Sequence, residues 1–247
     1  MKIYEASPEV YALWRKALTG EKLNEPKQIE FIHNLLQNHK CKTLIDLGGG
    51  IGIHAGALAE KGYDVTLLDS SSKALKIAKI NYPSLDVVQS SFEKIKENKL
   101  FDAAICMWTT FPYILEEEGR KYFFRWIREH VKKIVILDES NFYLLPPKFH
   151  QSYSASDGNR EIAVTRDGTI NPTGLRKVRY KSEVTDLNKK GKMIIEDEEI
   201  LQFISIDKLK KYMGNGWTLN KICGEYNTKS FYEKAKSPRI VTIFIRK

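Results

Sequence analysis

Hydrophobic positions follow two rhythms along this chain. Near the start, Ile29, Ile32, Leu35 and Leu36 recur at helical spacing behind Pro26, so the first forty residues read as helical. From residue 43 the pattern becomes short apolar runs separated by turns and helical stretches. TLIDL (Thr43–Leu47) reads as a buried strand, followed by a Gly-rich turn and the helix IHAGALAE, which stops at Gly62. VTLLD (65–69) is the next strand; Ser70 and Ser71 then offer N-caps to the helix SKALKIAKI. LDVV, DAAICM and KIVILD follow as strands, with the helix EEEGRKYFFRWIREH between the last two. Strands alternating with helices imply a parallel sheet with right-handed crossovers.

After Asp138 the style changes. REIAVTR, RKVRYKSEVTDL and KMIIEDEEILQFI alternate as extended segments within 160–204, with turn signals at Asp167-Gly168, Asn171-Pro172 and Lys190-Gly191. This pattern predicts an antiparallel ribbon inserted into an α/β domain. IDKLKKYM then reads as a helix closed by Gly214-Asn215-Gly216, and WTLNKICGEYN and RIVTIFIRK end the chain as a hairpin-like pair.

A length of 247 residues suits one α/β domain. The 42% hydrophobic and 29% charged composition excludes global disorder. No apolar run approaches the roughly 18–20 residues of a membrane helix. MKIYEASPEVY carries Glu5 and Glu9 and has no apolar h-region, so no signal peptide and no membrane partner are expected. Cys41, Cys106 and Cys223 make an odd count without a CxxC pair, which argues against disulfides or zinc and fits a cytoplasmic location. The formal charge is +9, and residues 176–247, with 17 Lys+Arg and 9 Asp+Glu, carry +8 of it. That excess leaves nucleic acid open as a partner, but the charges are scattered rather than clustered, as on a Lys-rich surface.

Asp46-Leu47-Gly48-Gly49-Gly50-Ile51-Gly52 joins the first strand to a helix. Its glycines let the backbone turn tightly and approach a ligand. Asp69 ends the next strand, where an acid can accept from two ribose hydroxyls. A dinucleotide pattern fits Gly50, Gly52 and Ala55 poorly; D-x-G-x-G-x-G on Asp46, Gly48, Gly50 and Gly52 is better centred. An acid at the loop repels a pyrophosphate and suits the amino group and sulfonium of S-adenosylmethionine.

DLGGGIGIHAGALAEKGYDVTLLDSSSKALKIAK, VVQSSFEKI, FDAAICMWTTFPYI, ISIDKLKKYMGNGW and KSPRIVTIFIRK together resemble the class I S-adenosylmethionine-dependent methyltransferases, in particular the glycine N-methyltransferase and sugar-amine dimethyltransferase type. The resemblance spans nearly the whole chain. It implies a Rossmann-like, seven-stranded, mostly parallel sheet with an antiparallel C-terminal strand and an inserted β-ribbon lid. The whole chain, 1–247, is then one domain: a helical cover at 1–40, a cofactor-binding core at 41–145, the lid at 146–204 and a C-terminal helix and hairpin at 205–247.

It also implies roles by position. Asp46, Gly48, Gly49, Gly50, Gly52 and His54 line the methionine part, Asp69 and Ser70 the ribose, and Ser91 and Phe92 the adenine. Met107 and Trp108 face the cofactor, and Tyr11 belongs to the segment covering it. His150 and Tyr153 are candidate acceptor contacts or bases, with Trp108, Arg176 and Arg179 as further substrate contacts. In a regular strand Arg176 and Arg179 face opposite sides, so one of them at most reaches a pocket.

The implied activity is methyl transfer from S-adenosylmethionine, leaving S-adenosylhomocysteine, to nitrogen or oxygen of a small molecule by in-line displacement, without a metal, in a monomer or homodimer. An RNA or protein methyltransferase, an NAD-dependent oxidoreductase and a non-catalytic cofactor-binding protein are the alternatives.

Overall fold

In the computed structural model, the apolar runs form strands where the sequence pattern places them. The structure describes residues 3, 6–19, 25–188, 191–227, 229 and 232–247. Helices α1 (Pro8–Thr19) and α2 (Glu25–Asn38) come first. Then β1 (Thr43–Leu47), α3 (Ile53–Glu60), β2 (Asp64–Asp69), α4 (Ser72–Asn81), β3 (Asp86–Gln89), β4 (Phe101–Cys106), α5 (Glu117–His130) and β5 (Val131–Ser140) alternate. Four strands follow: β6 (Lys148–Ser156), β7 (Arg160–Ile170), β8 (Leu175–Asp186) and β9 (Gly191–Gln202). The chain closes with α6 (Ile206–Met213), β10 (Trp217–Cys223) and β11 (Arg239–Arg246). It divides into two compact units, Met1–Glu25 with Leu145–Leu201, and Pro26–Leu144 with Gln202–Lys247; α1 belongs to the first and α2 to the second.

The larger unit is built on a seven-stranded sheet in the order β10-β11-β5-β4-β1-β2-β3. Its pairings are parallel except at β11, which runs antiparallel to both β5 and β10. The alternation of side chains across a strand separates two cores. Ile45 and Leu47 face a cluster with Phe101, Phe123, Phe124 and Tyr212, whereas Leu44 faces one with Ile32, Leu36, Leu58 and Ile105. Burying each such side chain contributes about 1.5–3 kcal/mol, so the sheet is a rigid base for whatever its loops carry. The strand order reverses between β1 and β4, and the crevice beyond the carboxyl ends of strands at such a reversal is where open α/β sheets hold ligands.

The smaller unit is a four-stranded sheet in the order β6-β7-β8-β9, with β6, β7 and β8 antiparallel. Val10, Leu13, Trp14 and Ala17 of α1 join Ile162, Val164, Val178, Tyr180 and Val184 in one core.

One sequence expectation is corrected here. Asp167-Gly168 is not a turn: it lies inside β7, opposite Arg179 and Val178. A Cβ on Gly168 would stand 2.0 Å from Cζ of Phe149, so the glycine admits the Phe149 ring of the neighbouring strand rather than bending the chain. Residues 148–156, inside the ribbon expected at 146–204, form β6, along which every second side chain is half-buried. Asn171-Pro172 does turn: Asn171 Oδ1 accepts from the backbone N–H groups of Thr173 and Leu175. The expected turn at Lys190-Gly191 rests on Lys190, which lies outside the described residues.

Candidate functional site at the carboxyl ends of strands one, two and four

The loop leaving β1 is shaped by glycines in the left-handed region: Gly48, Gly50 and Gly52 have φ of 73°, 57° and 82°. Side chains at such positions are strained by roughly 1–2 kcal/mol each. The N–H groups of Gly48 and Gly49 donate to the carbonyl of Leu68, which ties the loop to β2. Space differs sharply along it. A Cβ on Gly48 would stand 2.3 Å from Thr110 Cγ2 and 2.9 Å from Phe92 Cζ, whereas one on Gly50 would meet nothing within 4 Å.

Two carboxyls serve the loop. Asp69 accepts from the Gly50 N–H at Oδ2 (2.9 Å) and from the Ser71 N–H at Oδ1 (2.8 Å), so it fixes the loop and the start of α4 together. Burial raises its pKa, and these backbone N–H groups oppose the rise. Asp46 lies directly beneath Gly49, since a Cβ there would come within 2.5 Å of Asp46 Oδ2. It is 1% exposed, and neither carboxyl oxygen has a well-formed hydrogen bond. Burial first, then the Asp69 carboxylate, push its pKa up to about 7, while the backbone N–H of Ala55 opposes them. A buried carboxyl without a partner is expensive unless something cationic or hydrogen-bonding completes it.

His54, at the first turn of α3, is buried, and its Nε2 lies 2.9 Å from Gln28 Oε1. Trp108 Nε1 donates to the same oxygen at 3.2 Å. An indole N–H only donates, so this Gln28 atom is the acceptor and His54 donates from Nε2. His54 is thus held from behind by α2.

Beyond β4 the backbone is strained. Trp108 and Thr109 have φ of 62° and 64°, uncommon for residues with side chains. The Trp108 N–H donates to Asp138 Oδ2 (2.8 Å), the Thr109 N–H to the Asp138 carbonyl (2.9 Å), and the Ser140 N–H to Thr109 Oγ1 (2.8 Å). Asp138, fully buried, takes both arms of Arg239 (2.8 and 2.6 Å) and the hydroxyl of Tyr226 (2.8 Å). The carboxylate also holds the Arg239 guanidinium firmly charged, against the effect of burial. Glu139, on the opposite face of β5, is buried with both oxygens unpartnered, and burial drives its pKa well up.

The other sequence candidates divide between the units. Ser70 is exposed beside Asp69, and Ser91 stands before the short turn Phe92–Lys94, its carbonyl accepting from the Lys94 N–H. Phe92 packs on Phe123 at 4.8 Å and forms one wall at Gly48. Met107 is buried in the core that contains Ile105. In the smaller unit Tyr11 stacks on Trp14 at 6.0 Å. His150 and Tyr153 are not brought together: His150 is exposed and bonded to Asp167 at 2.8 Å, whereas Tyr153 is half-buried on the other face of β6 and accepts from Arg166. Arg176 is buried at 4% exposure and Arg179 exposed, on opposite faces of β8 as strand geometry requires.

Sequence reasoning missed Gln28, Thr110, Asp138, Glu139, Tyr226 and Arg239. The available signals were the acidic pair ending the apolar strand KIVILDES and the arginine opening the last one. Among the described residues, no three His, Cys, Asp or Glu side chains gather as a metal site, and no helix is long and apolar enough to cross a membrane.

Residues 44–133 match the family model described as a methyltransferase domain. Glycine/sarcosine N-methyltransferase of Aphanothece halophytica is 31% identical over 124 residues, a match that takes in 47% of this chain and 47% of that relative. The whole fold is similar to that of an S-adenosylmethionine-dependent methyltransferase from Clostridium acetobutylicum, with a TM-score of 0.82 and 16% identity over 96% of this chain and 98% of the other. It is also similar to CalS10, an amino pentose methyltransferase from Micromonospora echinaspora, with a TM-score of 0.77 and 14% identity over 100% of this chain and 98% of the other. Residues 44–133 thus carry a methyltransferase-domain match, and in its glycine loop, second-strand acid and strand order the chain is similar to the S-adenosylmethionine-dependent methyltransferases.

Proposed function

We propose that this enzyme moves a methyl group from S-adenosylmethionine to the nitrogen, or alternatively the oxygen, of a small molecule. The observation that carries the reading is Asp46, a buried carboxyl without a well-formed hydrogen bond, directly beneath a loop whose Gly50 faces open space. That pairing fits a ligand with a cationic head and a backbone-hugging body. It does not fit the pyrophosphate of a dinucleotide, which the acid would repel.

When bound, S-adenosylmethionine supplies a methyl already activated on a sulfonium. The residues of the chain then bind, orient and exclude water. Asp46 attracts the cationic part, and Gly48, Gly49, Gly50 and Gly52 let the backbone come close. Asp69 holds the loop through Gly50 and retains lone pairs for ribose hydroxyls. His54 supports the loop from behind, and Ser70, Ser91 and Phe92 border the adenosine. Trp108 forms the wall where the acceptor approaches. Alignment of this kind contributes about 7–11 kcal/mol to a displacement. A base is required only where the acceptor must first lose a proton.

In the smaller unit, Tyr153 and Arg176 lie on the side of its sheet that packs inward and His150 and Arg179 on the other. The names of the relatives favour an amine as acceptor: glycine and sarcosine for one, an amino pentose for another. The test is calorimetric titration with S-adenosylmethionine and with NAD, then turnover with glycine, sarcosine and amino sugars. Binding of the adenosyl compound alone, with methylation of one of these amines, is expected. Tight binding of NAD without affinity for the adenosyl compound would sink the reading.

A further inference from the structure

Two consecutive side-chain-bearing residues in the left-handed region, Trp108 and Thr109, need an external restraint, because nothing in their own covalent structure favours that shape. The restraint comes from far along the chain. Asp138, on β5, receives the Trp108 N–H on its carboxylate and the Thr109 N–H on its carbonyl. Arg239, the first residue of β11, grips both oxygens of that carboxylate and donates from Nη2 to Thr109 Oγ1 at 3.2 Å. Tyr226, between β10 and β11, donates its hydroxyl to Asp138 Oδ2. The next residue, Thr110, is held through its hydroxyl to the Met107 carbonyl at 2.5 Å, and its methyl fills the space against Gly48. The strained turn therefore connects the last two strands to the glycine loop.

We propose that Asp138, Tyr226 and Arg239 are positioning residues for the cofactor: they hold the Trp108–Thr110 turn against Gly48, so that the loop is set before S-adenosylmethionine arrives. None of the three needs to touch the ligand. The inference rests on the reading of the glycine loop as the cofactor site. It adds that the affinity of this loop is governed by a clamp built from the opposite end of the sequence. Releasing the clamp lets residues 108–109 return to the ordinary negative φ range, which moves the Thr110 methyl away from Gly48 and the Trp108 indole away from Gln28.

The test uses the full chain, with S-adenosylhomocysteine as the probe, measured by calorimetry. Tyr226→Phe removes one hydrogen bond to the carboxylate, and Arg239→Lys keeps the charge but loses the two-armed grip. Tyr63→Phe is the control: it removes a hydroxyl bonded to His33 at the amino end of β2, away from the loop. Hydrogen bonds to a charged group set the expected scale, so Tyr226→Phe and Arg239→Lys should each weaken binding about ten-fold or more, with Tyr63→Phe unchanged. Tryptophan fluorescence supplies a readout independent of ligand: Tyr226→Phe should change the emission of the native protein, and not when Trp108→Phe is already present. Native affinity and emission in both clamp variants would overturn the clamp while leaving the cofactor site intact. A native chain with no affinity for S-adenosylhomocysteine would overturn the cofactor site, and the clamp with it.

Discussion

The carboxyl end of the sheet carries two left-handed turns with opposite logic. At Gly48–Gly52 the unusual backbone is intrinsic, because glycine adopts it without steric penalty. At Trp108–Thr109 it is imposed, because both residues have side chains and the shape survives through an ion pair delivered from residues 138 and 239. Their acids differ in the same way. Asp138 is saturated by partners, whereas Asp46 has an orphaned carboxyl pushed toward neutrality. A turn held by its own residues can leave its acid free for a ligand; a turn held by tertiary contacts consumes its acid in the holding.

Breaking the imposed turn has the largest expected effect. Asp138→Asn leaves the Arg239 guanidinium buried without its carboxylate, and loss of one partner of a buried pair costs about 3–5 kcal/mol. Urea denaturation should show a destabilisation of that order.

The orphaned acid makes the next contrast. Asp46 has a folded pKa of about 7, above the ordinary range for an aspartate in the unfolded chain. The folded state therefore holds the proton more tightly, and stability falls as pH rises between those two values. Over that window the ligand-free protein should lose on the order of a few kcal/mol, at about 1.4 kcal/mol per pH unit for one such group. Asp46→Asn should flatten this part of the profile, and Glu139→Gln should also reduce the fall with rising pH, since burial raises the Glu139 pKa too. Denaturation midpoints from pH 4 to 8 check both; a native profile rising through the window would contradict the assignment.

Gly48→Ala and Gly50→Ala sharpen the comparison within the glycine loop. Both add the left-handed strain of roughly 1–2 kcal/mol. Gly48→Ala must also displace Thr110 or Phe92, whereas Gly50→Ala meets open space. Gly48→Ala should thus be the less stable. Gly50→Ala should lose S-adenosylmethionine affinity out of proportion to its small loss of stability, because the added methyl projects where a ligand would lie.

The smallest effect belongs to the β8 arginines. Arg179→Ala, on the exposed face, should change stability by less than about 0.5 kcal/mol, and Arg176→Ala, on the buried face, by more. Equal melting temperatures for the two variants would contradict the registry of that strand.

The same division explains what could be read from the sequence. Thr43–Leu47, Ile53–Glu60 and Ile206–Met213 were legible to the residue, because local periodicity, caps and glycines fix their ends. The glycine loop and Asp69 were legible for the same reason: pattern and spacing lie within 24 residues. The clamp was not, since Trp108, Asp138, Tyr226 and Arg239 become neighbours through strand order alone. Gly168 misled because glycine beside aspartate is a turn signal, whereas here its missing side chain admits the Phe149 ring. The restraint of His54 and Trp108 by Gln28 was hidden too, since a polar residue on a helix gives no sign that it will be buried.

The most direct test of the central claim, that Asp46 awaits a cationic cofactor, is calorimetric titration with S-adenosylmethionine at pH 6 in buffers of different ionisation enthalpy. At that pH most Asp46 carboxyls hold a proton, given a pKa of about 7, and a cation beside them favours the charged form. Binding should release close to one proton from the native chain and almost none from Asp46→Asn, and native affinity should rise from pH 6 to 8. Binding without proton release in the native chain, or no binding at all, would contradict it.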